Sequence, residues 1–143
     1  MKNNFVVTAA FVFAIACAGA KPSLAQDALY HDLGDKDGIA KIVDDATANF
    51  LADARIKATF DNTNMDRFKT MLASQLCAVA GGPCEYKGHS MQEAHKGLHL
   101  TNADFNAVVE DLQRGMDTAG VSFPVQNRLL ARLAPMHRDV VTR

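Results

Sequence analysis

Apolar residues recur along this chain with the helical period. Ile39, Ile42, Val43, Ala46, Phe50 and Leu51 share one face, which predicts a helix from about Gly38 to Leu51. Met65, Phe68, Leu72, Leu76 and Val79 mark a second helix, stopped by Gly81, Gly82 and Pro83. Thr101, with Asp104 three residues later, reads as the cap of what should be the longest helix. Its apolar face is Phe105, Val108, Val109, Leu112, Met116 and Ala119, and Gly120 ends it. Val125, Leu129, Leu133 and Met136 define a last helix, bent at Pro135, where a backbone donor is missing. No stretch sustains a two-residue alternation, so an all-α domain is expected.

The four long helices need no ligand to bury one another, but the short segment from Ser90 to Leu98 is unusual. Its apolar face reads Met91, Ala94, His95 and Leu98, the spacing i, i+3, i+4, i+7, which places His95 among core residues. His89 and His99 lie at the edges of the same segment and share that face less well. Periodicity alone leaves two readings of His95 open: a hydrogen-bonded core histidine or a ligand to a metal.

The first 25 residues stand apart. A cationic start, "MKNN", precedes the apolar run "FVVTAAFVFAIA", and Ser23 and Ala25 supply small residues at a cleavage spacing. This pattern predicts a signal peptide over residues 1–25, cut after Ala25 and leaving a domain over 26–143. The apolar run is short for a membrane anchor, which needs about 20 residues, so no stable membrane insertion is expected after cleavage. Lipidation at Cys17 is a poorer alternative, because Ala14 fits that motif badly.

Hydrophobic residues make up 48% of the chain and charged residues 22%, the balance of a globular domain and not of a disordered tail. Cleavage removes Lys2 and Lys21 and no acid, so 13 of the 15 basic residues remain against 16 acidic ones. With no basic stripe, nucleic acid is excluded as an expected partner. Export, to the periplasm in this reading, also leaves Cys77 and Cys84 as an even pair in an oxidising compartment. Two readings of that pair stand: a disulfide closing a small loop, or two free thiols.

The segments "LYHDLGDKDGIAKIVDD", "ADARIKATFDNTNM", "GGPCEYKGHSMQEAHKGL" and "DFNAVVEDL" resemble the group I truncated haemoglobins. The resemblance runs from Leu29 to Val141, in family order, and implies a two-on-two helical sandwich around haem b. In that family the histidine closing "M-x-x-A-H" is the proximal iron ligand, so the resemblance assigns that role to His95. It implies that Phe60 and Phe105 pack on the ring and that Tyr86 meets a propionate. Lys87 or Lys96 is a further candidate for neutralising a propionate. Met91 and Val109 read equally well as pocket wall or core. Haem chemistry agrees with the pattern, since an apolar disc held at iron needs an apolar lining and one inward imidazole nitrogen.

The distal side departs from the better-known members. Where many of them place a tyrosine, this chain aligns Thr47. Where they place a glutamine or histidine on the next helix, it offers Phe68, Met71 and Leu72, with Gln75 one turn further on. Charge-assisted donors to bound dioxygen are worth about 1.5–3 kcal/mol, so their loss implies dioxygen release roughly 10- to 100-fold faster.

The expected function is therefore reversible binding of a diatomic gas, with nitric oxide or carbon monoxide suited better than dioxygen. The alternative is a haem enzyme, a nitric oxide dioxygenase or a peroxidase-like protein. The first needs an external reductase, and the second normally needs a distal acid and base that these residues do not supply. Three narrower readings complete the set: zinc held by Cys77, Cys84, His89, His95 or His99; Met71 as a sixth iron ligand; and His137, otherwise a surface residue, as a covalent haem anchor.

Overall fold

A computed structural model describes the backbone of residues 24–143 and the side chains of residues 28–143. All but the last two residues of the expected signal peptide lie outside this range. The chain runs through α1 (Leu24–Asp32), α2 (Asp35–Ala52), a 3-10 turn (Lys57–Phe60), α3 (Met65–Val79), α4 (Met91–Ala94), α5 (Asn102–Thr118), α6 (Phe123–Leu133), a second 3-10 turn (Ala134–Met136) and α7 (His137–Val140).

Local chemistry sets these boundaries. Gly34, at φ 85°, turns the chain between α1 and α2, and Asp35 and Asp37 place negative charge at the positive end of α2. The helix therefore starts three residues before Gly38, and at 18 residues α2 is one longer than α5, which the sequence pattern ranks first. The side chain of Asn64 caps α3 by accepting from the Arg67 amide at 2.9 Å. Gly81 then enters the left-handed region, and the Gly82 amide donates to the Cys77 carbonyl at 2.9 Å to close the helix. Thr101 and Asp104 form a reciprocal capping box at the start of α5, as the sequence predicts. Pro135 interrupts the final helix as a 3-10 turn between α6 and α7.

α2 is the centre of the packing, lying chiefly on α5 and then on α3, while α6 packs on α1, α3 and α5. The α2 and α5 backbones approach closely at Gly115, where a Cβ would stand 2.7 Å from the Ala46 nitrogen. Ile39, Ile42, Val43, Ala46 and Phe50 of α2 are buried with Leu76 of α3, Leu112 and Met116 of α5 and Leu129 of α6. Leu29 and Tyr30 of α1, and Leu33 in the turn that follows it, join the same core. Leu51 departs from the expected face: it sits one residue before the end of α2 and is 45% exposed. Among the described residues no helix is long and apolar enough to cross a membrane.

Candidate functional site

α4 presents His95 at its C-terminal cap. The helix is one turn long, nucleated by a capping box in which the Ser90 side chain accepts from the Glu93 amide and the Glu93 carboxylate accepts from the Ser90 amide at 3.0 Å. Gly97 at φ 80° and His99 at φ 53° then turn the chain away. Helical periodicity thus stops before Leu98, which is 44% exposed, and Ala94 is exposed as well. Only Met91 and His95 of the expected apolar face are half-buried.

The His95 ring is nevertheless fixed. Its Nδ1 lies 2.7 Å from the Met91 carbonyl oxygen. A carbonyl can only accept, so Nδ1 carries the proton, and in the neutral ring Nε2 keeps its lone pair. That is the donor state a metal requires.

A second feature sits on α2. Thr47 is buried, at 2% exposure, and its Oγ1 has no hydrogen-bond partner in the protein. An orphaned hydroxyl of this kind costs about 1–3 kcal/mol. Around α2 and α3 the lining is apolar. Phe50, Phe60 and Phe68 form one aromatic cluster, with centroids of Phe60 and Phe68 5.4 Å apart at 69° and Phe50 stacked on Phe60 at 5.8 Å. Met71 and Leu72 of α3 and Phe105 and Val109 of α5 are half-buried.

Other predicted contacts take a different form. The Tyr86 hydroxyl donates to the His89 carbonyl at 2.8 Å and so ties the turn before α4. A Cβ at Gly88 would fall onto the Tyr86 ring, so a larger residue there would displace that ring. Lys87 pairs with Glu85 at 3.3 Å, both well exposed, and Lys96 is exposed. His89 and His99 are exposed too. His137 is half-buried and not a plain surface residue: it meets Phe105 edge-on at 4.8 Å, with Nε2 2.8 Å from Asn102 Oδ1. Cys77 and Cys84 are bonded to each other, with Cα atoms 5.8 Å apart. Their sulfurs are thereby unavailable to zinc, and no group of three or more His, Cys, Asp or Glu among the described residues is placed to hold a metal ion.

The bacterial-like globin family model matches residues 28–142. A group 1 truncated haemoglobin of Tetrahymena pyriformis is 34% identical over 113 residues, covering 79% of this chain and 93% of the relative. The chain belongs to the group 1 truncated haemoglobins.

The crystal structure of the Tetrahymena pyriformis protein in its Fe(III) form superposes on this truncated haemoglobin with a TM-score of 0.78 at 33% identity, covering 80% of this chain and 98% of that one. A Synechococcus two-on-two haemoglobin, solved in the cyanomet state with covalently attached haem, gives 0.75 at 26% identity over the same shares. The fold is the all-helical two-on-two globin, and the chain is a haem globin. The residues present fit that group: an imidazole with a free Nε2, a buried unpartnered hydroxyl and half-buried apolar side chains on α3, α4 and α5.

Two features escape the sequence pattern, one at the site and one away from it. The Gln75 amide is bound to the sulfurs of Met91 and Met136, 16 and 61 positions away in the chain. Away from it, an ionic cluster joins Asp53, Arg55 and Glu110 at 2.7–2.8 Å and takes in Arg114. Hydrogen bonds from Arg55 hold the Asp53 carboxyl below its ordinary range and push the guanidinium up. Arg114 also pairs with the buried Asp111, whose Oδ2 is unpartnered. This cluster shares no residue with the apolar lining and braces the α2–α5 surface.

Proposed function

We propose that this truncated haemoglobin takes up haem b, holds its iron through His95 Nε2, and binds diatomic gases reversibly. Nitric oxide and carbon monoxide suit its distal side better than tightly held dioxygen. The relatives described above support the cofactor, one solved in the Fe(III) form and the other with haem attached. Held by His95, haem would supply a redox-active iron able to take a small ligand.

The residues of the chain have separate tasks. Met91 orients the imidazole through its carbonyl, and the aromatic cluster of Phe50, Phe60 and Phe68 keeps water from the apolar side. The observation that carries the ligand preference is Thr47. Its hydroxyl is buried and unpartnered, while Phe68, Met71 and Leu72 on the facing helix bring no hydrogen-bond donor. One neutral donor is worth about 0.5–1.5 kcal/mol, less than the charge-assisted pairs that hold dioxygen firmly.

The same proposal includes export to the periplasm. The bonded Cys77–Cys84 pair supports it, since disulfides persist in oxidising compartments.

Dissociation of dioxygen, carbon monoxide and nitric oxide from the reduced, haem-loaded protein tests the preference, with autoxidation followed in parallel. Dioxygen is expected to leave fast, and Thr47→Tyr combined with Phe68→Gln is expected to slow it about 10- to 100-fold. Slow dioxygen release together with slow autoxidation in the unaltered protein contradicts the proposal.

A further inference from the structure

α4 has four residues and none of them is buried, so apolar burial does little to hold it. Gln75 reaches it from the rest of the fold. The Gln75 Nε2 donates to Met91 Sδ at 3.1 Å and to Met136 Sδ at 3.4 Å, which ties α3 to α4 and to the Ala134–Met136 turn. A thioether has no proton to give, so the amide must present its nitrogen to both sulfurs. Met91 is also the residue whose carbonyl accepts from His95 Nδ1 at 2.7 Å.

We propose that Gln75 is a positioning residue for His95: from the last turns of α3 it holds Met91, and through Met91 it fixes the acceptor that aims the imidazole. The inference rests on the reading of His95 as the iron ligand. The partner of a ligating histidine's second nitrogen sets both the ring's orientation and its basicity. Releasing Met91 lengthens the Nδ1–H···O bond and makes the imidazole a weaker donor. Gln75 therefore acts on the proximal side, although it stands on the helix that carries Phe68, Met71 and Leu72.

The readout is the iron–histidine stretching band in the resonance Raman spectrum of the ferrous, ligand-free, haem-loaded protein. Gln75→Leu, which keeps the volume and removes the donor, is expected to move the band to lower frequency. Met91→Leu, which removes the acceptor, is expected to do the same, and the double variant to go no further than either single one, because both act on one path. Met136→Leu leaves the Gln75–Met91 bond in place and is expected to move the band less. An unchanged band in Gln75→Leu or in Met91→Leu, or shifts that add in the double variant, overturns the proposal, whatever happens to thermal stability. Where Gln75→Leu takes up no haem, Met91→Leu decides by the same criterion. His95→Gly separates the two claims. A band that survives in that variant removes the ligand assignment itself, whereas a band lost there but unmoved in Gln75→Leu removes only the positioning role.

Discussion

The Nδ1 atom of His95 lies 2.7 Å from the carbonyl oxygen of Met91, one helical turn upstream. This bond gives a solvent-edge imidazole a defined tautomer and direction without a second side chain. Met91 is in turn held by Gln75 of α3, which also binds Met136 of the Ala134–Met136 turn, so the state of the site is coupled to helix contacts that never touch a ligand.

Thr47 is the first place to test this. Its buried hydroxyl lacks a partner in the protein, so Thr47→Val removes an unsatisfied group at nearly constant shape. The haem-free variant is expected to be more stable by about 1 kcal/mol. Loaded with haem, it is expected to release dioxygen about 5- to 10-fold faster, with a smaller change for carbon monoxide. Urea unfolding and flash photolysis measure the two effects. A destabilised variant with unaltered dioxygen release would place the hydroxyl elsewhere.

The Cys77–Cys84 bond joins the end of α3 to the loop before Tyr86 across a separation of seven residues. Closing so short a loop restricts the unfolded chain and is worth about 2 kcal/mol. Treatment with a dithiol, or the paired change Cys77→Ser and Cys84→Ser, is expected to lower the unfolding free energy by that amount. An unchanged urea midpoint would mean that the bridge contributes nothing to the fold.

Acid should loosen two helix starts. The Ser90 hydroxyl, at 2.8 Å, and then the Ser90 amide hold the Glu93 carboxyl below its ordinary range. The Thr101 amide, at 2.8 Å, followed by its hydroxyl, does the same for Asp104. Both groups bind fewer protons in the folded state than in the unfolded one. Their contribution is therefore complete above the unfolded values of about 4 and disappears as pH falls through the folded ones. Urea midpoints of the haem-free protein between pH 3 and 6 are expected to fall with acid, and less steeply in Glu93→Gln with Asp104→Asn. Equal slopes would contradict the assignment.

Much of this was legible in the chain because it is local. The Thr101–Asp104 capping box, the glycine stop after Val79 and the break at Pro135 each depend on residues within one turn of each other. His95 stood out by spacing alone, and family resemblance gave it a role. Leu98 was misplaced because spacing is blind to the left-handed turn at Gly97, and Leu51 because helix ends escape the face that their period assigns. Among the residues whose side chains are described, α1 buries Leu29 and Tyr30, too few positions to declare a helix from periodicity. Tyr86 and Gln75 were beyond reach for a different reason. Which of several nearby acceptors a polar side chain chooses is decided by the packed fold, as the bonds to His89, Met91 and Met136 show.

The central claim is that His95 is the protein's bond to iron. The most direct measurement is the ferrous absorption and resonance Raman spectrum of haem-loaded protein carrying His95→Gly, with and without added imidazole. The account predicts that the histidine-bound signature is lost in the variant and returns when imidazole fills the space left by the ring. A variant that binds haem with an unchanged proximal signature in the absence of imidazole would contradict it.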